Sequence, residues 1–264
     1  MNKLLSALVV GGVVVGGARA AVTTREVNYP AGNVTARGLL ALPGGEGTHP
    51  AVLVVHEWWG VNDYARKRAR MLAELGYVAL AVDLYGDGKT AEHPEDAGAF
   101  ATAVMSDLPE ATNRFEAAMK FLADQPEVDA AKIAAIGYCF GGGVVLQMAA
   151  TGVDGLDAVV SFHGSLGAEV PAGTTPTAPM LVLTGTADEF VPDEQVKAFE
   201  GRMQDAGAEV TVIEYPGAKH GFTNPEADAK AAEFGIPIGY DLHADEASWG
   251  EMREFLSGAF ATAG

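Results

Sequence analysis

KIAAIGYCFGGG, residues 132–143, runs from an apolar strand-like segment through a glycine-flanked bend into a helix rich in small residues. Lys132–Gly137 has the continuous apolar character of a strand covered on both faces. Gly141–Ala150 reads as the helix that follows. Between them stand Gly137, Cys139 and Gly141, the G-x-nucleophile-x-G spacing of a nucleophile elbow, with Cys in the nucleophile position. The glycines answer a steric demand, because larger neighbours of the strained central residue would collide with strand and helix. The turn lifts the thiol clear of the sheet and sets the sulfur at a helix N-terminus, whose partial positive charge favours an anion. The N–H of Phe140 then faces the place where an oxyanion would form. A buried, inert Cys in a glycine-rich turn is the plainer alternative.

Strand and helix signals alternate along most of the chain. Residues 22–29 and 34–42 read as an opening pair of strands. Further strands are expected at Ala51–His56, Tyr77–Val82, Leu156–Phe162, Met180–Thr184 and Glu209–Tyr215. Helices are expected from Asn62 or Asp63 to Leu75, at Pro94–Val104, Leu108–Ala123, Val196–Ala206 and Asp245–Phe260. This order predicts an α/β fold with a mainly parallel central sheet and helices on both faces. In such sheets the chemistry sits at the carboxyl ends of the strands.

Three more strand ends carry reactive side chains. Asp188 follows the Met180–Thr184 strand in TGTADEFVP, a place suited to the acid of a triad. His220 follows the next strand in PGAKHGF and is the candidate general base, which Asp188 would orient. His163 also follows a strand but stands in the wrong chain order to be the base. Cys139, Asp188 and His220 occur in the order of the α/β-hydrolase fold, and no G-x-S-x-G competes. The fourth strand end is His56-Glu57-Trp58-Trp59-Gly60. It is expected to supply the second oxyanion donor from the Trp58 N–H. Glu57 is unusual there, since a carboxylate repels developing negative charge and needs a partner or a role. Trp58, Trp59, Tyr85 and Phe222 are candidates for an apolar pocket lining.

These motifs resemble the dienelactone hydrolase family. The resemblance is carried by VVHEWWGVNDYAR at 54–66, AVDLYGDG at 81–88, GYCFGG at 137–142, the Asp188 loop and GAKHGF at 217–222, and it spans roughly residues 25–260. It implies a Cys139–Asp188–His220 triad, oxyanion donors at Phe140 and Trp58, and help from Glu57 in deprotonating Cys139. It implies hydrolysis of lactones and related esters with no metal and no cofactor. The chain departs from the family at two arginines that bind a substrate carboxylate. One position falls in Gly86-Asp87-Gly88-Lys89, where Lys89 could substitute for the arginine, though as a point charge without the guanidinium fork; the other falls in Thr223-Asn224-Pro225, where no residue is basic. Segment 223–244 is longer than a minimal loop and is a candidate pocket wall. A general esterase or a thioesterase on the same fold is the competing activity. A catalytically silent binding protein would have lost the acid or the base, and both are present.

Composition narrows the rest. With 17 basic against 35 acidic residues and a formal charge of −18, the chain would repel phosphate backbones and anionic membranes, so nucleic acid is not an expected partner. Residues 1–20, MNKLLSALVVGGVVVGGARA, read as a secretory signal peptide cleaved after Ala20, followed by one domain over 21–264. Export to the periplasm or the medium, no stable membrane association after cleavage, and a monomer acting on a small-molecule ester or lactone are expected. Cys139 is the lone cysteine, so no intrachain disulfide can form. His56, His163, His220 and His243 lack metal-ligand spacing, and no metal site is expected.

Overall fold

The structure, a computed structural model, describes residues 21–262; the expected signal segment, residues 1–20, lies outside the described residues. Eight strands form one sheet in the order β1-β2-β4-β3-β5-β6-β7-β8. β1 (Thr23–Ala31) and β2 (Val34–Leu42) make an antiparallel hairpin turned at Gly32, where φ is 60°. β2 then pairs antiparallel with β4 (Val78–Val82). From β4 through β3 (His49–Val55), β5 (Val128–Tyr138), β6 (Ala158–Phe162), β7 (Met180–Gly185) and β8 (Val210–Tyr215), every pairing is parallel. The mainly parallel sheet expected from the alternation is therefore the observed one, with an antiparallel hairpin at one edge.

Burial follows from the strand period of two. In β3, Leu53 and Val55 face one core, while Val52 and Val54 face the other. The first core is closed by α3 (Leu108–Ala123), α4 (Phe140–Ala150) and α5 (Asp193–Asp205), through Phe115, Leu122, Val144 and Phe199. The second is closed by α1 (Asp63–Leu75) and α7 (Leu242–Thr262), through Leu72, Met252 and Leu256. The remaining helices are α2 (Pro94–Met105) and α6 (Ala227–Phe234).

Local signals explain most boundaries. Asn62 caps α1 by accepting from the Ala65 N–H, and Gly76 ends it in the left-handed conformation. α5 begins at Asp193, before the expected Val196, because Pro192 serves as the residue ahead of an acidic first turn. α6 was not expected. ADAKAAEF is short and alternates charge with alanine, so it lacks an apolar stripe; Gly235 at φ 65° closes it.

The bend between β5 and α4 is tight. Cys139 has φ 54° and ψ −114°, a conformation L-residues rarely adopt. Its N–H donates to Phe162 O at 3.0 Å, and the Gly141 N–H donates to His56 O at 3.1 Å, which ties the bend to the strands on either side. A Cβ on Gly137 would fall inside contact distance of the Gly141 carbonyl, and one on Gly141 would strike the Val55 carbonyl. Since the obstructing atoms are backbone, Gly137→Ala should destabilise the fold by about 3 kcal/mol or more, read as a lowered thermal midpoint.

Candidate active site

The carboxyl ends of β3, β5, β7 and β8 bring Glu57, Cys139, Asp188 and His220 to one edge of the sheet. Cys139 is partly exposed, and it shares with His220, Glu57, Trp58, Trp59 and Phe140 the lining of a cavity of about 330 Å³. His220 Nδ1 lies 2.9 Å from Asp188 Oδ2. Asp188 is itself fixed, its other oxygen accepting from the Phe190 and Val191 N–H groups at 2.9 and 3.2 Å. Burial alone would make the His220 imidazole harder to protonate. The negative charge of the Cys139 sulfur and the Asp188 carboxylate outweigh burial and push it up to about 10.

Two backbone donors belong to residues that line the same cavity. Neither the Phe140 N–H nor the Trp58 N–H finds an acceptor among the described residues. The Trp58 peptide unit is held from its carbonyl side. His56, fully buried, donates from Nδ1 to the Glu57 carbonyl at 2.6 Å, while its Nε2 accepts from the Leu84 N–H at 3.4 Å. The Gly60 N–H donates to the same carbonyl at 3.2 Å. Because Glu57 C=O and Trp58 N–H belong to one planar trans peptide, fixing the carbonyl aims the N–H.

Glu57 has the partner that its place demands. The Asn224 amide donates to Glu57 Oε2 at 2.7 Å, both groups being buried. Burial pushes the Glu57 carboxyl up to about 7, against the pull of Asn224, His220, Lys230 and Arg68. No sequence motif marks Asn224 beyond its place in the stretch where the family carries an arginine. Lys230 was also missed. It lines the cavity from α6, with Nζ 4.2 Å from the Trp59 ring centroid. Phe190, nearly half exposed, sits edge-on to His220 at 5.0 Å and lines the cavity too.

Three expectations are corrected. Phe222 does not line the cavity; it is fully buried against His163 and Tyr215, because Gly221 at φ 74° turns the chain inward. Tyr85 does not line it either. Its hydroxyl donates to Trp58 O at 2.9 Å and its ring packs on Phe140 and His56, so it braces the cavity wall from behind. Lys89 lines a separate cavity with Asn33, Glu110 and Arg114 and is no substitute for a cation beside Cys139. Segment 223–244 does contribute a wall, through Asn224, Ala227, Lys230 and Ile238.

The sequence profile of the dienelactone hydrolase family matches residues 36–260. The chain belongs to the dienelactone hydrolase family. Among solved structures it is similar to a dienelactone hydrolase-like promiscuous phosphotriesterase from metagenomic libraries, with 35% identity, a TM-score of 0.82, and coverage of 91% of this chain and 100% of that one. It is similar at 34% identity to the structure named m3DLH, with a TM-score of 0.85 and the same coverage. An Aquifex aeolicus strain VF5 protein carrying the provisional name carboxymethylenebutenolidase is 29% identical over 206 residues, 76% of this chain and 88% of its own length. Within the family fold, Glu57 gives the site a measurable signature. Its carboxyl holds a proton more tightly when folded, at about 7, than at its ordinary value of 4.5. Its contribution to stability is therefore intact below about 4.5 and lost as pH rises through about 7. Glu57→Gln stays neutral throughout. It should melt like wild type near pH 4 and be more stable near pH 8 by roughly 3 kcal/mol, which thermal melts at the two pH values would read.

Proposed function

We propose that this member of the dienelactone hydrolase family hydrolyses carboxylic esters or lactones through an acyl thioester on Cys139. The observation that carries the reading is the arrangement of the partly exposed Cys139 sulfur, the Asp188-held His220 and two free N–H groups around one cavity.

Cys139 Sγ attacks the carbonyl carbon, and the electron pair moves onto the carbonyl oxygen. That oxyanion sits between the Phe140 and Trp58 N–H groups; one such donor is typically worth about 10²–10³ in rate. The pair returns, the C–O bond to the alcohol breaks, and the alkoxide takes a proton from His220. In a lactone the alcohol stays tethered to the acyl group. A water then gives a proton to His220 and attacks the thioester carbon. The C–S bond breaks, and acid and thiolate are released. Asp188 holds the imidazole in the required orientation throughout. Glu57, half protonated near neutral pH under the Asn224 amide, is the group that exchanges a proton with the thiol when substrate arrives. We assign Trp58, Trp59 and Phe190 to binding apolar parts of the substrate.

The same groups suit attack on a neutral phosphotriester, and the 35% identity to a promiscuous phosphotriesterase favours this as a second activity. We also propose export with cleavage after Ala20, which would leave a monomeric enzyme two positive charges poorer than the −18 of the full chain; N-terminal sequencing of the exported protein tests the cleavage.

Cys139→Ala should lower hydrolysis of an aryl ester by at least ~10³-fold with an unchanged thermal midpoint, and no thioester adduct should be trapped by mass spectrometry. Wild-type turnover in that variant would remove the mechanism. A panel of lactones, aryl esters, thioesters and one neutral phosphotriester, run under reducing conditions, separates the substrate classes.

A further inference from the structure

A buried polar chain begins on α1 and ends against the His220 ring. Arg68, 3% exposed, lies over the rings of Tyr64, Tyr138 and Trp249 at 5.2, 5.4 and 5.2 Å. Its Nη2 donates to Thr223 O at 2.7 Å and to the Asp245 carboxylate of α7. Its Nε donates to the Tyr64 hydroxyl at 3.2 Å. Tyr64 Oη and Thr223 Oγ1 are 2.6 Å apart, and Thr223 Oγ1 and His163 Nε2 are 2.8 Å apart. His163 is fully buried, with its ring 5.2 Å from that of His220 at an interplanar angle of 66°.

The first member of this chain biases its direction. A guanidinium can only donate, so the Tyr64 oxygen accepts and its one hydrogen is left to give to Thr223 Oγ1. The Thr223 hydrogen then goes to His163 Nε2, which must be bare, with the ring proton on Nδ1. This order leaves the His163 Nδ1–H buried without a partner among the described residues; the opposite order would leave the Tyr64 hydroxyl hydrogen so instead, and would need the Tyr64 oxygen, whose lone pairs are partly drawn into its ring, to accept from Thr223 as well as from Arg68. Burial, reinforced by His220 and Arg68, holds His163 well below the usual histidine range, so the ring stays uncharged beside the His220 imidazolium. The same guanidinium pins Thr223 O, three residues past His220 and one before Asn224.

We propose that Arg68 is a positioning residue: through Tyr64 and Thr223 it holds His163 as the Nδ1–H tautomer against the His220 ring, and it fixes the loop that brings Asn224 to Glu57. The role in turnover rests on His220 being the base of the reaction above; the tautomer does not, so the two can fail separately.

Nitrogen-15 NMR of histidine-labelled protein tests the tautomer without any variant. His163 should show a protonated Nδ1 and a bare Nε2 across the neutral range. An Nε2-protonated ring in the wild-type protein overturns the proposal. Thr223→Val, which removes the hydroxyl at nearly constant shape, should release the ring to exchange between tautomers. It should also lower kcat for an aryl ester roughly tenfold, in keeping with the cost of a sub-ångström misplacement, with KM near wild type. Thr223→Ser should restore both readouts. Tyr64→Phe, which keeps the ring under Arg68, should repeat the Thr223→Val result and serves if that variant does not fold. A folded Thr223→Val or Tyr64→Phe protein with wild-type kcat and an unchanged tautomer also overturns it.

Discussion

The site depends on a backbone that would not hold its shape alone. Cys139 at φ 54° is strained by something on the order of 1–3 kcal/mol, and packing keeps it there. Gly137 lies against the Gly141 carbonyl, Gly141 against the Val55 carbonyl, and the Cys139 N–H is spent on Phe162. The bend is thus clamped between β3 and β6, the strands flanking β5. His163, at φ 40°, follows β6 and is strained in the same sense. Two of the three non-glycine residues with positive φ among the described residues therefore stand at adjacent strand ends. Neither conformation would survive in a free loop. The sheet supplies rigidity, and the strained ends aim a thiol and an imidazole ring toward His220.

Around that edge, environment pushes titratable groups apart. Burial lifts Glu57 to about 7, while the Cys139 and Asp188 charges lift His220 to about 10 and burial holds His163 low. One group carries a proton loosely, one holds it firmly and one never takes it up as a cation. Such separation lets neighbouring groups hold different charges at one pH. It also resolves the oddity of an acid beside an oxyanion site. Glu57 near neutrality is charged only part of the time, and Asn224 offers it a donor in either state.

The parts legible in sequence were those fixed by local rules. Continuous apolar runs marked the buried strands, and glycine spacing marked the bend. The chain order Cys139, Asp188, His220, each just after a strand, by itself places three distant residues at one sheet edge. What was illegible depends on loop dihedrals and on contacts between distant segments. Phe222 and Asn224 lie within four residues of His220, yet one turns into the core and the other reaches Glu57, 167 residues away. Tyr85 has the look of a lining aromatic, but its hydroxyl finds a backbone carbonyl and it becomes a brace. Arg68 sits in an ordinary amphipathic helix, and nothing in its neighbours shows that three rings, the Thr223 loop and α7 meet over it.

The division between rigid and irregular parts bears on specificity. The thiol, the imidazole and the two N–H donors rest on strand ends or on a helix start, all clamped by the sheet. Part of the cavity wall comes from elsewhere: Ala101 on α2, Lys230 and Ala227 on α6, and Ile238 beyond it. These belong to the excursions after β4 and β8, where sequence can change without disturbing the bend. On the proposed mechanism the clamped set is needed whatever the leaving group, so the excursions are the part of the wall free to vary discrimination between substrates. Lys230 held over Trp59 is the one charged group they bring to the cavity. It can attract a developing or resident negative charge without lying in the path of the proton between Cys139 and His220. Changes in α6 should therefore alter which substrates are accepted before they alter how the accepted ones react.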